Sequence, residues 1–325
     1  MATVRIAGAG LAGSAAAIAA SRAGADVRMW DPSRLPRNKV CGEFLTPEIE
    51  PVLASLGLWN RFLSLKPARM TRTRLIFDGR TAEGRLPETA FGLSRLQLDS
   101  LLRGAAEDAG AEWITERAPA EVDLIAHGRQ TRTTGGDRLF GFKAHFHGPP
   151  DDAVELHFFD GVYVGVNPVE SGVTNVCGLG LESRLRRFRF DYDSLTDSSP
   201  CLRERLRPLR RSMDWLSTGP VRFESRLVAP VPGPLLSGDA LQFVDPFTGT
   251  GMSIAIWTGA LAGQILAEGR TPTEYYERLR TGLSSQSRWC ARLRRAVESP
   301  LLRRIAHWPP PSMLYRLTRP DLRLN

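Results

Sequence analysis

Thr3-Val4-Arg5-Ile6-Ala7-Gly8-Ala9-Gly10-Leu11-Ala12-Gly13 opens the chain with a short apolar strand that runs straight into three glycines. Leu11 to Ala23 continues as an alanine-rich helix, and Ala25 to Trp30 reads as a second strand ending at Asp31. A strand, helix and strand in about 30 residues is the size of a parallel crossover. In that setting each glycine has a task. Gly8 permits the tight turn, Gly10 lets a pyrophosphate approach the backbone, and Gly13 lets the helix pack close to the strand. The helix N-terminus offers free N–H groups and partial positive charge to the anion. Asp31 follows at roughly the 20-residue distance where a carboxylate accepts from a ribose hydroxyl. The unit predicts dinucleotide binding.

Working outward, 325 residues suit one large domain or two interleaved ones, and 42% apolar with 24% charged residues excludes a disordered chain. The net charge of +8 is carried by arginine, since lysine occurs only at Lys39, Lys66 and Lys143. The arginines are dispersed without aromatic interleaving, so the excess predicts a solvated surface and no nucleic-acid partner. Cys41, Cys177, Cys201 and Cys290 lack any paired metal or redox spacing. With no signal-like N-terminus, a reduced, cytoplasmic chain is expected. Residues 246–267 carry no charge, but glycines and polar residues interrupt them, which predicts a buried helix rather than a membrane span.

Further along, Pro47 to Leu63 shows helical spacing, Arg72 to Phe77 and Thr81 to Leu86 flank a hairpin turn at Asp78-Gly79, and Arg95 to Ala109 is a helix. Glu112 to Thr115 and Val122 to Ala126 read as strands. Leu139 to Phe146, Val154 to Phe159, Val162 to Val166 and Gly172 to Leu181 alternate like an inserted antiparallel sheet, with a second hairpin at Asp160-Gly161. Phe223 to Pro230 and Leu235 to Ser237 are further strands, and helices fill most of Gly251 to His307. A second glycine turn, Gly238-Asp239-Ala240 followed by Asp245-Pro246-Phe247-Thr248-Gly249-Thr250-Gly251-Met252, leads to another helix N-terminus. There Asp239 suits polyol hydroxyls, and the helix suits negative charge on a reduced ring.

Together with Arg95, Leu96 and Asp99, these motifs resemble the FAD-dependent oxidoreductases of the p-hydroxybenzoate hydroxylase superfamily, in its geranylgeranyl reductase-like and halogenase-like branch. Pro36-Arg37-Asn38-Lys39-Val40-Cys41-Gly42-Glu43 is similar to the loop that family places beside the isoalloxazine. Tyr163 to Pro168 and Asn175 to Gly178 are similar to its substrate-facing strands. The resemblance implies an α/β fold, a Rossmann-like FAD-binding domain of the glutathione reductase type with an inserted antiparallel substrate sheet and C-terminal helices. It divides the chain into a cofactor domain (1–70, 94–130 and 226–270), a substrate domain (71–93 and 131–225) and a helical end (271–325). It further implies FAD, with Gly8, Gly10 and Gly13 at the pyrophosphate and Asp31 at the adenosine ribose. Arg95 and Asp239 would contact the flavin chain, Lys39, Cys41 and Gly42 would flank the ring, and Pro246, Gly249, Gly251 and Met252 would face it.

The chain departs from the family at named places. Ala126-His127-Gly128-Arg129 stands where the hydroxylases carry an Asp-Gly pair, which bears on NAD(P)H as direct electron donor. The segment from Trp113 to Val122 is short, the halogenase tryptophan motif and lysine are missing, and Gly165 replaces an aromatic of archaeal reductases. The expected activity is monooxygenation of an apolar or aromatic secondary-metabolite-like substrate through a flavin C4a-hydroperoxide. The alternatives are reduction of a C=C bond, with Glu43 or Cys41 as proton donor, and modification of a partner peptide or protein. An NAD-dependent dehydrogenase is a third reading.

The remaining candidates have bland readings beside sharp ones. Cys41 is a reactive thiol or a small contact to the flavin; Glu43 exchanges a proton near the ring or caps the helix beginning near Pro47. His145, His147 and His157 lack the further ligand a metal site needs, so no metal is expected. Arg288 to Arg304 reads as an amphipathic helix packed on the body, with weak contact to an anionic membrane surface as the alternative.

Overall fold

In the computed structural model, residues 2–33, 36–128, 138–221, 233–243, 248–283, 315 and 319–322 are described. The first half runs β1 (Thr3–Ala7), α1 (Leu11–Arg22), β2 (Asp26–Trp30), β3 (Phe44–Leu45), α2 (Ile49–Ser55), α3 (Trp59–Ser64), β4 (Ala68–Phe77), β5 (Arg80–Gly92), α4 (Arg95–Asp108), β6 (Glu112–Ile114) and β7 (Leu124–Ile125). The second half runs β8 (Leu139–His147), β9 (Ala153–Phe159), β10 (Val162–Pro168), β11 (Val173–Leu181), α5 (Glu182–Arg187), α6 (Tyr192–Asp197), α7 (Pro200–Leu206), β12 (Arg210–Arg211), β13 (Leu216–Val221), β14 (Leu235–Leu236) and α8 (Gly251–Ala267).

A five-stranded parallel sheet has the order β14-β7-β1-β2-β6, so the crossover read from the first thirty residues sits at its centre. α1 lies against α8 with almost nothing between them. A Cβ on Gly259 would fall 2.0 Å from the Ala12 carbonyl oxygen, and one on Gly263 would fall 2.1 Å from that of Ala16. Interiors packed at crystal-like density leave no slack for a methyl group there. This contact brings the N-termini of α1 and α8 to the same edge of the sheet. Uncharged α8 is buried along most of its length, and no helix among the described residues is long and apolar enough to cross a membrane.

The second sheet has the order β12-β8-β11-β10-β9-β4-β5-β3, with β13 also paired to β8. The expected antiparallel insertion is in fact mixed, because β4 and β9 are parallel. They enter from separate excursions out of the nucleotide half, linked through α4, β6 and β7, and such a long connection permits parallel pairing. On one face, Phe142, Ala144, Phe146, Val164, Val166 and Val176 pack with Leu185, Leu195 and Leu202 of α5–α7. The other face looks toward the parallel sheet.

Both hairpin turns form as expected, with positive φ at Asp78 (45°), Gly79 (87°), Asp160 (41°) and Gly161 (74°). The single helix expected over Pro47 to Leu63 is two, α2 and α3, separated by Gly57 at φ 58°. A left-handed glycine ends a helix. The expected strand Phe223 to Pro230, the motif residues Asp245 to Phe247 and the arginine-rich stretch Arg288 to Arg304 lie outside the described residues.

Candidate active site at the junction of the sheets

One cavity of about 1330 Å³ lies between the two sheets. It exceeds the roughly 300–1,000 Å³ of a pocket for one drug-sized ligand, so it has room for an extended coenzyme and a second molecule. Gly8, Gly10, Asp31, Lys39, Cys41, Gly42, Glu43, Arg95, Asp239, Gly249, Gly251 and Met252 all line it. Residues far apart in sequence thus meet on one wall. Pro246 lies outside the described residues.

The three glycines at the head of α1 separate by role. Gly8 has φ 107°, and a Cβ there would lie 2.6 Å from the Ala126 backbone, so the turn needs glycine twice over. A Cβ on Gly10 would meet nothing within 4 Å, so the backbone is bare toward the cavity where a pyrophosphate must approach. Gly13 does not line the cavity, and a Cβ there would stand 1.7 Å from the Gly8 oxygen, so close helix-to-strand packing requires its glycine. Asp31 accepts from Ala9 N at 3.0 Å and Ser33 N at 2.8 Å, leaving further lone pairs for a ribose hydroxyl.

At the second turn Gly238 has φ 58°, and its N–H donates to Thr258 Oγ1 of α8 at 3.0 Å. Adjacent Asp239 lines the cavity. Gly249 (φ 68°) lies so close to Phe44 that a Cβ would come within 2.4 Å of its ring. The loop carrying Cys41 to Phe44 therefore abuts the turn that begins α8. Two helix N-termini, bare glycine backbone and two carboxylates placed for hydroxyls fit a flavin adenine dinucleotide, whose pyrophosphate needs the first and whose ribose and polyol need the last.

The 39–43 loop is pinned almost residue by residue. Lys39 Nζ lies 3.3 Å from Asp99 Oδ1, and Arg95 grips the same carboxylate at 2.9 and 3.1 Å. Burial and the neighbouring Arg95 lower the Lys39 pKa. Burial would also lower that of Arg95, but Asp99 and Cys41 together outweigh it and hold the guanidinium above its usual value. Asn175 Nδ2 donates to the carbonyls of Cys41 (3.2 Å) and Gly42 (2.8 Å).

Glu43 also corrects an expectation. It caps a helix, but the helix is α4 rather than the one beginning near Pro47: its Oε1 accepts from Arg95 N at 2.6 Å. Glu170, in the turn between β10 and β11, accepts from Ser94 N at 2.7 Å, so two carboxylates meet that N-terminus. Glu43 is fully buried at φ 52°, pairs with buried Lys143 through Oε1, and lies 2.7 Å from His145 Nε2 through Oε2. Burial pushes its pKa up, but His145 and Lys143 together hold it below the ordinary value.

Lys143 and His145 were missed as members of this group. The signal was the alternation in β8, where Lys143, His145 and His147 share one face and Phe142, Ala144 and Phe146 the other. Of the other histidines, His157 lies 3.2 Å from Glu155 on the opposite face of the sheet, and His147 is exposed at the end of β8. Among the described residues no cluster of three or more His, Cys, Asp or Glu is arranged to hold a metal.

The mixed sheet gives the cavity a largely apolar wall. Leu75 and Phe77 of β4, Leu156 and Phe158 of β9, Leu179 of β11 and Leu86 of β5 line it, with Tyr163, Gly165 and Cys177. Register places Leu75, Leu156, Gly165, Cys177 and Lys143 in one row across five strands. Burial raises the Cys177 pKa, keeping its thiol protonated.

No family model matches the chain. It is 29% identical to menaquinone reductase from Mycobacterium tuberculosis over 328 residues, covering 82% of this chain and 76% of that protein. Among solved structures, the flavin-dependent brominase Bmp2 superposes with a TM-score of 0.79 at 18% identity, covering 98% of this chain and 93% of the other. A geranylgeranyl bacteriochlorophyll reductase-like protein from Thermoplasma acidophilum gives a TM-score of 0.71 at 18% identity, covering 98% and 92%. The chain thus has the fold of these flavin enzymes and is similar in sequence to a reductase.

Proposed function

We propose that the protein is an FAD-dependent reductase that saturates a C=C bond of a long, apolar, isoprenoid-quinone-like substrate. The observation that carries this reading is the apolar row on the mixed sheet, continuous with the glycine turns in a single cavity. The similarity to menaquinone reductase supports the substrate class. Bound FAD would supply hydride, and NAD(P)H would be its source. Gly10 and the N-terminus of α1 hold the pyrophosphate, Asp31 and Asp239 accept from the ribose and polyol, and the apolar face of β4, β9 and β11 excludes water. Of the two proton donors expected, Glu43 has its carboxylate engaged by three donors, whereas Cys41 lines the cavity and is the better placed for proton delivery.

Monooxygenation is the second reading, favoured by the same apolar wall, since that chemistry also needs water excluded. Anaerobic mixing of the reduced, FAD-loaded protein with menaquinone separates the two. Flavin reoxidation without O₂ and a product still two mass units heavier after its quinone ring is reoxidised in air are expected. Reoxidation only with O₂, with one oxygen atom in the product, would overturn the reductase reading in favour of the monooxygenase.

A further inference from the structure

Glu43 and Lys143 are both wholly buried, and hydride transfer and substrate binding as proposed use neither. Removing two ions from water costs several kcal/mol each, and an apolar pair of the same volume often stabilises a fold better. Packing alone therefore does not account for the pair. Its surroundings do. Lys143 stands in register beside Cys177, which lines the cavity, and Glu43 itself lines the wall that abuts the Thr248–Gly251 turn. Cations and carboxylates pair at this wall, Lys39 and Arg95 on Asp99 and Lys143 on Glu43. These pairs stand on a buried wall of the cavity, where charge acts more strongly than in water.

We propose that the Glu43–Lys143–His145 cluster is an electrostatic positioning element, which fixes the Cys41–Gly42 wall and, with Lys39 and Arg95, favours the negative charge a flavin acquires on reduction. It rests on flavin binding but not on the identity of the substrate. Lys143 acts through Glu43 and the wall, so it is a positioning residue.

The midpoint potential of the FAD-loaded full chain, titrated against reference dyes without substrate, tests the proposal. Glu43→Gln keeps the acceptor for Arg95 N and removes a negative charge, so it should raise the potential. Lys143→Met should lower it. A tenfold change in the reduced-to-oxidised ratio is expected for each, about 30 mV for a two-electron couple, and the double variant should return near the wild type. A purely structural role would move both single variants the same way. Should the buried variants fail to fold, Lys39→Met, at a third-exposed site, must still lower the potential by a smaller amount. Shifts of one sign, or unchanged potentials in variants that bind FAD, would overturn the proposal alone. A wild-type chain that takes up no FAD would overturn the flavin reading with it.

Discussion

The mixed sheet buries a glutamate on each of its faces, and the two have nearly the same partners. On the cavity face Glu43 meets Lys143 and His145; on the helical face Glu155 meets Arg74 at 3.2 Å, Arg205 at 2.5 Å and His157 at 3.2 Å. Both carboxylates are opposed by burial and held below their usual pKa by these partners. The difference is what lies beyond them. Glu155 ties α7 to the junction of β4 and β9, whereas Glu43 ties β8 to the head of α4 and to the cavity wall. One chemical arrangement therefore serves cohesion on one face and a site on the other. Location rather than residue type decides which.

That contrast can be broken by experiment. Glu155→Ala removes the buried acceptor of Arg205 and His157 but leaves Asp151 beside Arg74 and Arg205, and should cost about 3 kcal/mol in denaturant unfolding, without altering the absorption spectrum of bound FAD. If the spectrum changes while stability holds, the two faces are not separate. Glu43→Gln retains hydrogen bonding and should cost less, about 1–3 kcal/mol, but it should shift the flavin spectrum.

Acid should act on both faces together. A carboxylate whose folded pKa is depressed contributes its full stability above its unfolded value, near 4.3, and loses that contribution as pH falls through the folded one. Melting temperature should therefore drop below about pH 4 in the wild type, and the drop should be smaller in either glutamate variant. An equal drop in all three would remove both groups from the acid response.

The smallest effect on stability is expected from Gly165→Leu. A Cβ at Gly165 meets only ordinary contacts at 3.6–3.8 Å, and a longer side chain would enter the cavity. FAD uptake should be unchanged while KM for an isoprenoid quinone rises at least tenfold. An unaffected KM would move the substrate away from this row.

What could be read from sequence followed the same division. The β1–α1–β2 unit, with Gly8, Gly10 and Asp31, was legible because its chemistry is local, set by turn geometry within thirty residues. The convergence of the second glycine turn on the same cavity was read from the kind of ligand it suits. The Glu43–Lys143 pair was not legible, since its members are a hundred positions apart and meet only through strand register and the course of the loop. Even there a trace existed, for His145 was singled out, but as a metal candidate rather than the partner of a carboxylate. Pro47 to Leu63 was misread because its apolar periodicity runs on through Gly57, and the break depends on one backbone angle. The face of β4, β9 and β11 was visible as alternation. Its parallel β4–β9 pair was not, because no local pattern encodes the direction in which a returning chain is threaded.

The seam where Gly259 and Gly263 rest on the carbonyls of Ala12 and Ala16 works as a ruler. Main chain touches main chain, so no side chain can shorten or lengthen to absorb a change, and the separation of the two helices is set at its minimum. Evolution can redraw the greasy wall opposite, strand by strand, and so exchange one substrate for another. It cannot widen this seam by a single carbon without moving apart the two glycine turns that share the cavity.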